Sequence, residues 1–116
     1  MLRALFPDSR KMLCCVRDIY LLLQQAKVME DPALARTAQL LLISSGLHCN
    51  AFLATHLIRA FASCGKLREA CQTFAKVQNP NPHTWASIIL AHTICGGTTL
   101  AIDMYFHMRK LNLVTP

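Results

Sequence analysis

The chain has 116 residues, 12 Lys and Arg against 6 Asp and Glu, a net charge of +6 at pH 7, and 53% hydrophobic residues. That much apolar material suits one folded domain and argues against disorder over most of the chain. No apolar run, Leu40–Ile43 among them, approaches the roughly 20 residues needed to span a bilayer, so no membrane insertion is expected.

Residues 1–13, with Arg3, Arg10, Lys11 and Ser9 against the single acid Asp8, read as a short targeting segment of the Arg-rich, acid-poor kind or as a disordered one. Beyond them apolar residues recur at spacings of three and four, with no strict alternation, so strands are not expected. The spacing predicts six helices over about 14–27, 32–45, 51–63, 67–78, 82–94 and 98–111, in three pairs. Asp31-Pro32 and Asn81-Pro82 each place a side-chain acceptor at the N-cap and a proline at the first helical position, and Asn50 caps the third helix in the same way. Gly46, Gly65 and Gly96 follow apolar runs and read as helix stops, and Asn79-Pro80-Asn81-Pro82 is a turn and a strong boundary.

The pairs repeat. A shift of 31 residues lays Leu57-Ile58 over Ile88-Ile89, Ala60 over Ala91, Cys64-Gly65 over Cys95-Gly96, Ala70 over Ala101, Phe74 over Tyr105 and Val77 over Met108. The alanines fall where two helices of a hairpin must approach closely. Hairpins of this kind bury their apolar faces by stacking, which places function on the surface the stack creates. The fold class expected is all-α, a right-handed α-solenoid of about three antiparallel hairpins. A mean hydropathy of +0.33 fits such a stack, or a fragment with open ends.

Two consecutive stretches, FLATHLIRAFASCGKLREACQTFAKVQNPN and PHTWASIILAHTICGGTTLAIDMYFHMRKLNLVTP, resemble motifs of plant pentatricopeptide repeat proteins, and ALARTAQLLLISSGLHCN before them resembles the end of a degenerate preceding motif. The resemblance covers residues 32–116 well, 14–31 poorly and 1–13 not at all. It divides the chain into a degenerate long-type hairpin at 14–50, a short-type repeat at 51–81 and a standard-type repeat at 82–116. Such alternating lengths are similar to the subclass associated with organellar RNA editing. Tetratricopeptide repeats, with a uniform period of about 34 and other fixed aromatic positions, fit less well.

The resemblance implies single-stranded organellar RNA as partner, with other proteins of the family or editing factors beside it. It implies a role in RNA processing or C-to-U editing, in the mitochondrion or alternatively the chloroplast. The net positive charge is compatible with such a polyanion, although solvated helix faces would give the same count. In this family each repeat reads one base through two or three side chains. By the resemblance these fall on Thr55 and Asn81 in the short repeat, a hydroxyl and amide similar to the adenine-preferring combination. The matching positions of the next repeat are Ala86 and Pro116, which have no side-chain hydrogen bond to offer. Asn50 closes the preceding motif, with Tyr20 as a guessed partner. Asn81 also reads as a plain helix cap, a role compatible with base reading, and Thr55 as a capping or solvent-facing residue. Arg59 and Lys66 are candidate phosphate contacts.

Nothing in the residues points to catalysis, a metal or a cofactor. The deaminase-like domain carried by some editing proteins needs H-x-E and a later C-x-x-C, and neither occurs. The five histidines lack zinc-site spacing with the cysteines, and Cys14-Cys15 is too tight. Cys64 and Cys95 read as small packing residues at helix ends, and Trp85 as a core aromatic in preference to a base platform. Gly96-Gly97 lacks the lysine of a phosphate-binding loop. The competing reading is a protein-interaction module or a non-functional truncated product, since arrays of this type need about three repeats with capped ends. A membrane-surface role would need a sustained basic amphipathic face, which is absent.

Overall fold

The computed structural model describes residues 16–47 and 50–111. Within them lie six helices: α1 (Val16–Met29), α2 (Pro32–Ser44), α3 (Ala51–Ser63), α4 (Leu67–Ala75), α5 (Pro82–Ile94) and α6 (Thr98–Lys110). The segment expected at 1–13, the pair Cys14-Cys15 and Pro116 lie outside the described residues.

The predicted start signals act as caps. Asp31 Oδ1 accepts from Ala33 N at 2.9 Å, Asn50 Oδ1 from Leu53 N at 3.1 Å and Asn81 Oδ1 from Thr84 N at 2.9 Å. Each satisfies an amide that the first helical turn leaves without a partner. At the other end of α3, Gly65 adopts φ +73°, its N–H reaches Ala62 O at 3.0 Å and Lys66 N reaches Phe61 O at 2.8 Å. Gly96 (φ +89°) closes α5 with the same paired bonds, to Thr93 O and His92 O. This left-handed closure lets the chain reverse within a few residues and start the second helix of the hairpin.

Two boundaries differ from expectation. α4 ends at Ala75 instead of about 78, and Val77 just beyond it is buried. α1 runs on to Met29 and stops at Glu30, whose φ of +51° does without glycine what Gly65 does for α3.

The helices form two layers. The first helices of the hairpins, α1, α3 and α5, lie side by side; each second helix packs on its own partner, and α2 and α4 also lean on the first helix that follows. The stack is elongated, with extents of 45 × 25 × 21 Å. Ala35, Ala38, Ala60, Ala70 and Ala91 are fully buried and Ala101 nearly so, which permits the close helix approaches. Between them Ile19, Leu23, Leu42, Leu53, Ile58, Phe61 and Ile88 fill the core. The fold is an all-α helical repeat, and its layering leaves one face built from first helices alone.

Candidate nucleic-acid interface

On that first-helix face, Phe52, Thr55, His56, Arg59, Asn81 and His83 line a cleft of about 310 Å³. Four of the six come from α3, because positions 52, 55, 56 and 59 recur at helical spacing on one side of it, and Asn81 is the N-cap of α5. His83 comes from the first turn of α5. Phe52 is 51% exposed, which for a large aromatic on a polar-rimmed cleft is a cost that packing within the chain does not offset. Tyr20 of α1 stacks beside it, with ring centroids 5.5 Å apart and planes 26° from parallel, and His56 meets both rings edge-on at 4.9 and 4.8 Å.

Two cations bear on the cleft, Arg59 in its lining and Lys27 against His56. Lys27 Nζ lies 3.2 Å from His56 Nδ1, and Arg59 Nε donates to Ser87 Oγ at 2.8 Å, which fixes the guanidinium across the α3–α5 junction. Burial, with Arg59 adding repulsion, pulls the Lys27 ammonium below its ordinary value. Burial and then the charges of Lys27 and Arg59 push His56 down to about 4, so at neutral pH its imidazole is uncharged and accepts from Lys27 through Nδ1. Among the described residues the ion pair is Arg36–Glu69, between α2 and α4. Lys27 and Arg59 therefore present positive charge that no carboxylate there neutralises, as an anion-binding surface requires.

The structure places Thr55 and Asn81 in this cleft together, joined through a residue the sequence did not single out. Thr55 is only 5% exposed; its Oγ1 lies 2.6 Å from Ala51 O and 2.9 Å from the Thr84 hydroxyl, which in turn lies 3.1 Å from Asn81 Oδ1. Thr55 is thus neither a cap nor solvent-facing. Asn50 is exposed at the start of α3 and engaged as its cap, outside the cleft-lining set, and Ala86 is exposed on α5. Lys66 is exposed in the turn before α4 and does not line the cleft. Tyr20 does join the site, as the ring behind Phe52.

Sequence reasoning missed Phe52, His56, His83, Lys27 and Thr84. The first two carried a signal, since an aromatic and a histidine four apart share the Thr55 side of α3. Lys27 and Thr84 are brought in from neighbouring first helices and had none. Trp85 points inward, 7% exposed, with Phe74 edge-on at 4.8 Å and His107 at 5.4 Å, and serves the core. Cys64 and Cys95 cap α3 and α5, half-buried. Among the described residues no group of three His, Cys, Asp or Glu side chains is placed to hold a metal, and no helix is long and apolar enough to cross a membrane.

Fold and face together define a helical-repeat protein with an aromatic and cationic cleft between successive hairpins. Two plant proteins share its sequence pattern. A chloroplastic pentatricopeptide repeat-containing protein of Arabidopsis thaliana is 30% identical over 87 residues, 73% of this chain and 14% of the relative. A second pentatricopeptide repeat-containing protein of the same plant is 31% identical over 72 residues, 62% of this chain and 9% of the relative. The chain therefore spans a small fraction of the length of these relatives. No family model matches it and no solved structure does. The two similarities support a member of the pentatricopeptide repeat family.

Proposed function

We propose that this chain binds single-stranded RNA through the α3 cleft, as a short pentatricopeptide array with alternating repeat lengths. The observation that carries the reading is the half-exposed Phe52 ring set beside the Asn81 amide and the unneutralised Lys27 and Arg59. A base stacked on Phe52 covers its exposed face, a contact contributing about 1–3 kcal/mol to single-strand binding. Lys27 and Arg59 take the flanking phosphates, which positions the strand without reading it. Asn81 then lies within the cleft to hydrogen-bond the base edge, with Thr55 behind it.

The proposed context is organellar RNA processing, with C-to-U editing as the specific use, and the chloroplastic relative supports an organelle of either kind, mitochondrion or chloroplast. The chain is read as a binding module and not as an enzyme, acting beside other proteins of the family or editing factors. In the next repeat Ala86 has no polar group for a base, so that unit contributes backbone positioning and shape alone.

A second reading, a protein-interaction module, is favoured by one observation. Leu90, Ile94, Leu100, Ile102, Tyr105 and Phe106 are all exposed on α5 and α6. Titration of the purified chain with short single-stranded RNAs, with and without a central adenine and at two salt concentrations, separates the two. Salt-sensitive binding that favours adenine and weakens in Asn81→Ala supports RNA reading; concentration-dependent self-association with no RNA binding supports the second.

A further inference from the structure

Resting on the RNA-binding reading, we propose that Thr84, in the repeat after Asn81, is a specificity-determining positioning residue: it locks the Asn81 amide so that the short repeat offers a base a hydrogen-bond donor and no acceptor. Thr84 sits in the first turn of α5 and is fully buried. Its backbone N–H donates to Asn81 Oδ1 at 2.9 Å, and its hydroxyl lies 3.1 Å from the same oxygen. A backbone N–H can only donate, so it fixes which end of the amide faces inward. With the hydroxyl proton also on Oδ1, both lone pairs of that oxygen are engaged within the protein, and Nδ2 is what Asn81 has left for the cleft it lines.

Thr55 lies against the Thr84 hydroxyl. Its hydroxyl carries one proton and has two acceptors within reach, Ala51 O at 2.6 Å and Thr84 Oγ1 at 2.9 Å. Whichever it serves, no proton remains for a base. When it serves Thr84, donation runs from Thr55 to Thr84 to Asn81 Oδ1 in one direction, and bonds so chained strengthen one another. Thr55 and Thr84 are both buried, so water does not compete for these protons. In the chained arrangement Thr55 works through Thr84; when it serves Ala51 instead, Thr84 alone holds Asn81 Oδ1.

The consequence is specific. An adenine held here is recognised at a ring nitrogen by Nδ2, and its exocyclic amine finds no acceptor on Asn81. RNA carrying purine riboside in place of the central adenosine, which lacks only that amine, should bind the full chain within about twofold of the adenosine RNA. Thr84→Val keeps the shape and the backbone cap but removes the hydroxyl, which frees one lone pair of Oδ1. That variant should then favour adenosine over purine riboside by about fivefold or more, the lower end of what an added base-edge hydrogen bond contributes. Thr84→Ser should restore the wild-type indifference. A wild type that already discriminates fivefold overturns the proposal.

The lock is also read without RNA, from the Asn81 side-chain carbonyl carbon shift in isotope-labelled free protein. That shift should move in Thr84→Val and stay in place in Thr84→Ser, and an unmoved shift in Thr84→Val overturns the proposal. If no RNA binds at all, the function proposed above fails and this carbon shift alone decides whether the amide is locked.

Discussion

The second and third hairpins carry related sequences, but the surfaces that they turn toward the C-terminal end of the stack are in different states. On the second hairpin Thr55 bonds Thr84, Arg59 bonds Ser87 and Phe74 packs on Trp85, all across the junction with α5. Thirty-one residues on, the same three positions are Ala86, Leu90 and Tyr105; Ala86 is exposed, Leu90 is 46% exposed and Tyr105 41% exposed against Phe106. The internal junction is mixed, polar on the first-helix side and aromatic on the second. The open end is almost wholly apolar and partnered by nothing within the described residues. Burial at a given repeat position is thus conferred by the next repeat rather than by the position's own sequence, as a quasi-one-dimensional stack requires. The third hairpin also carries unmet polar demand, since the buried Trp85 Nε1 and His92 Nδ1 of α5 find no partner among the described residues.

The largest expected effect breaks this comparison most openly. Phe74→Ala empties space against Trp85 and should cost about 3 kcal/mol of stability in urea denaturation. Tyr105→Ala, at the equivalent position, should stay within about 0.5 kcal/mol, as a surface change does. Equal costs would mean that the open end is covered in the isolated protein.

Next in size is Phe52→Ala, which should weaken single-stranded RNA binding by about 1–3 kcal/mol. It should leave the urea midpoint nearly unchanged, because the ring is half-exposed and its neighbours Tyr20 and His56 remain to pack on one another. A large drop in stability with unchanged affinity would make Phe52 a packing residue.

Smaller still are the electrostatic effects. Lys27→Ala and Arg59→Ala should each reduce the slope of log affinity against log salt by about 0.7, the contribution of one phosphate contact on a single strand. Arg36→Ala, on the ion-paired α2–α4 side, should leave the slope alone.

The pH dependence of folding is the finest probe. His56 is lowered from 6.5 to about 4, so between those values the unfolded chain takes up a proton that the folded one does not. Stability supported by neutral His56 is therefore complete above pH 6.5 and falls as pH drops from 6.5 toward 4. Urea midpoints compared at pH 7 and pH 4.5 should show that fall, and His56→Gln should flatten it.

Much of the fold was legible because the chain marks its own helix ends. α3 and α5 begin and end where Asn50, Asn81, Gly65 and Gly96 predict, since a side-chain acceptor and a left-handed glycine are local signals with local consequences. Where the outcome depends on what the chain meets in space, the sequence was silent. Val77 is buried just past the early end of α4, and Glu30 took a left-handed backbone that no residue type announces. The site divides in the same way. Thr55 and Asn81 were singled out through the family resemblance, whereas the burial of Thr55, the bridging hydroxyl of Thr84 and the approach of Lys27 to His56 exist because first helices lie side by side.

The central claim, that the α3 cleft is where RNA binds, is tested most directly by following backbone and side-chain NMR shifts of the full chain during titration with a short single-stranded RNA containing adenine. The account predicts that the largest changes fall on Phe52, His56, Arg59 and Asn81 and the Lys27 turn of α1, with α6 quiet. Changes centred on Leu100, Ile102 and Phe106 of α6, or none anywhere at saturating RNA, would contradict it.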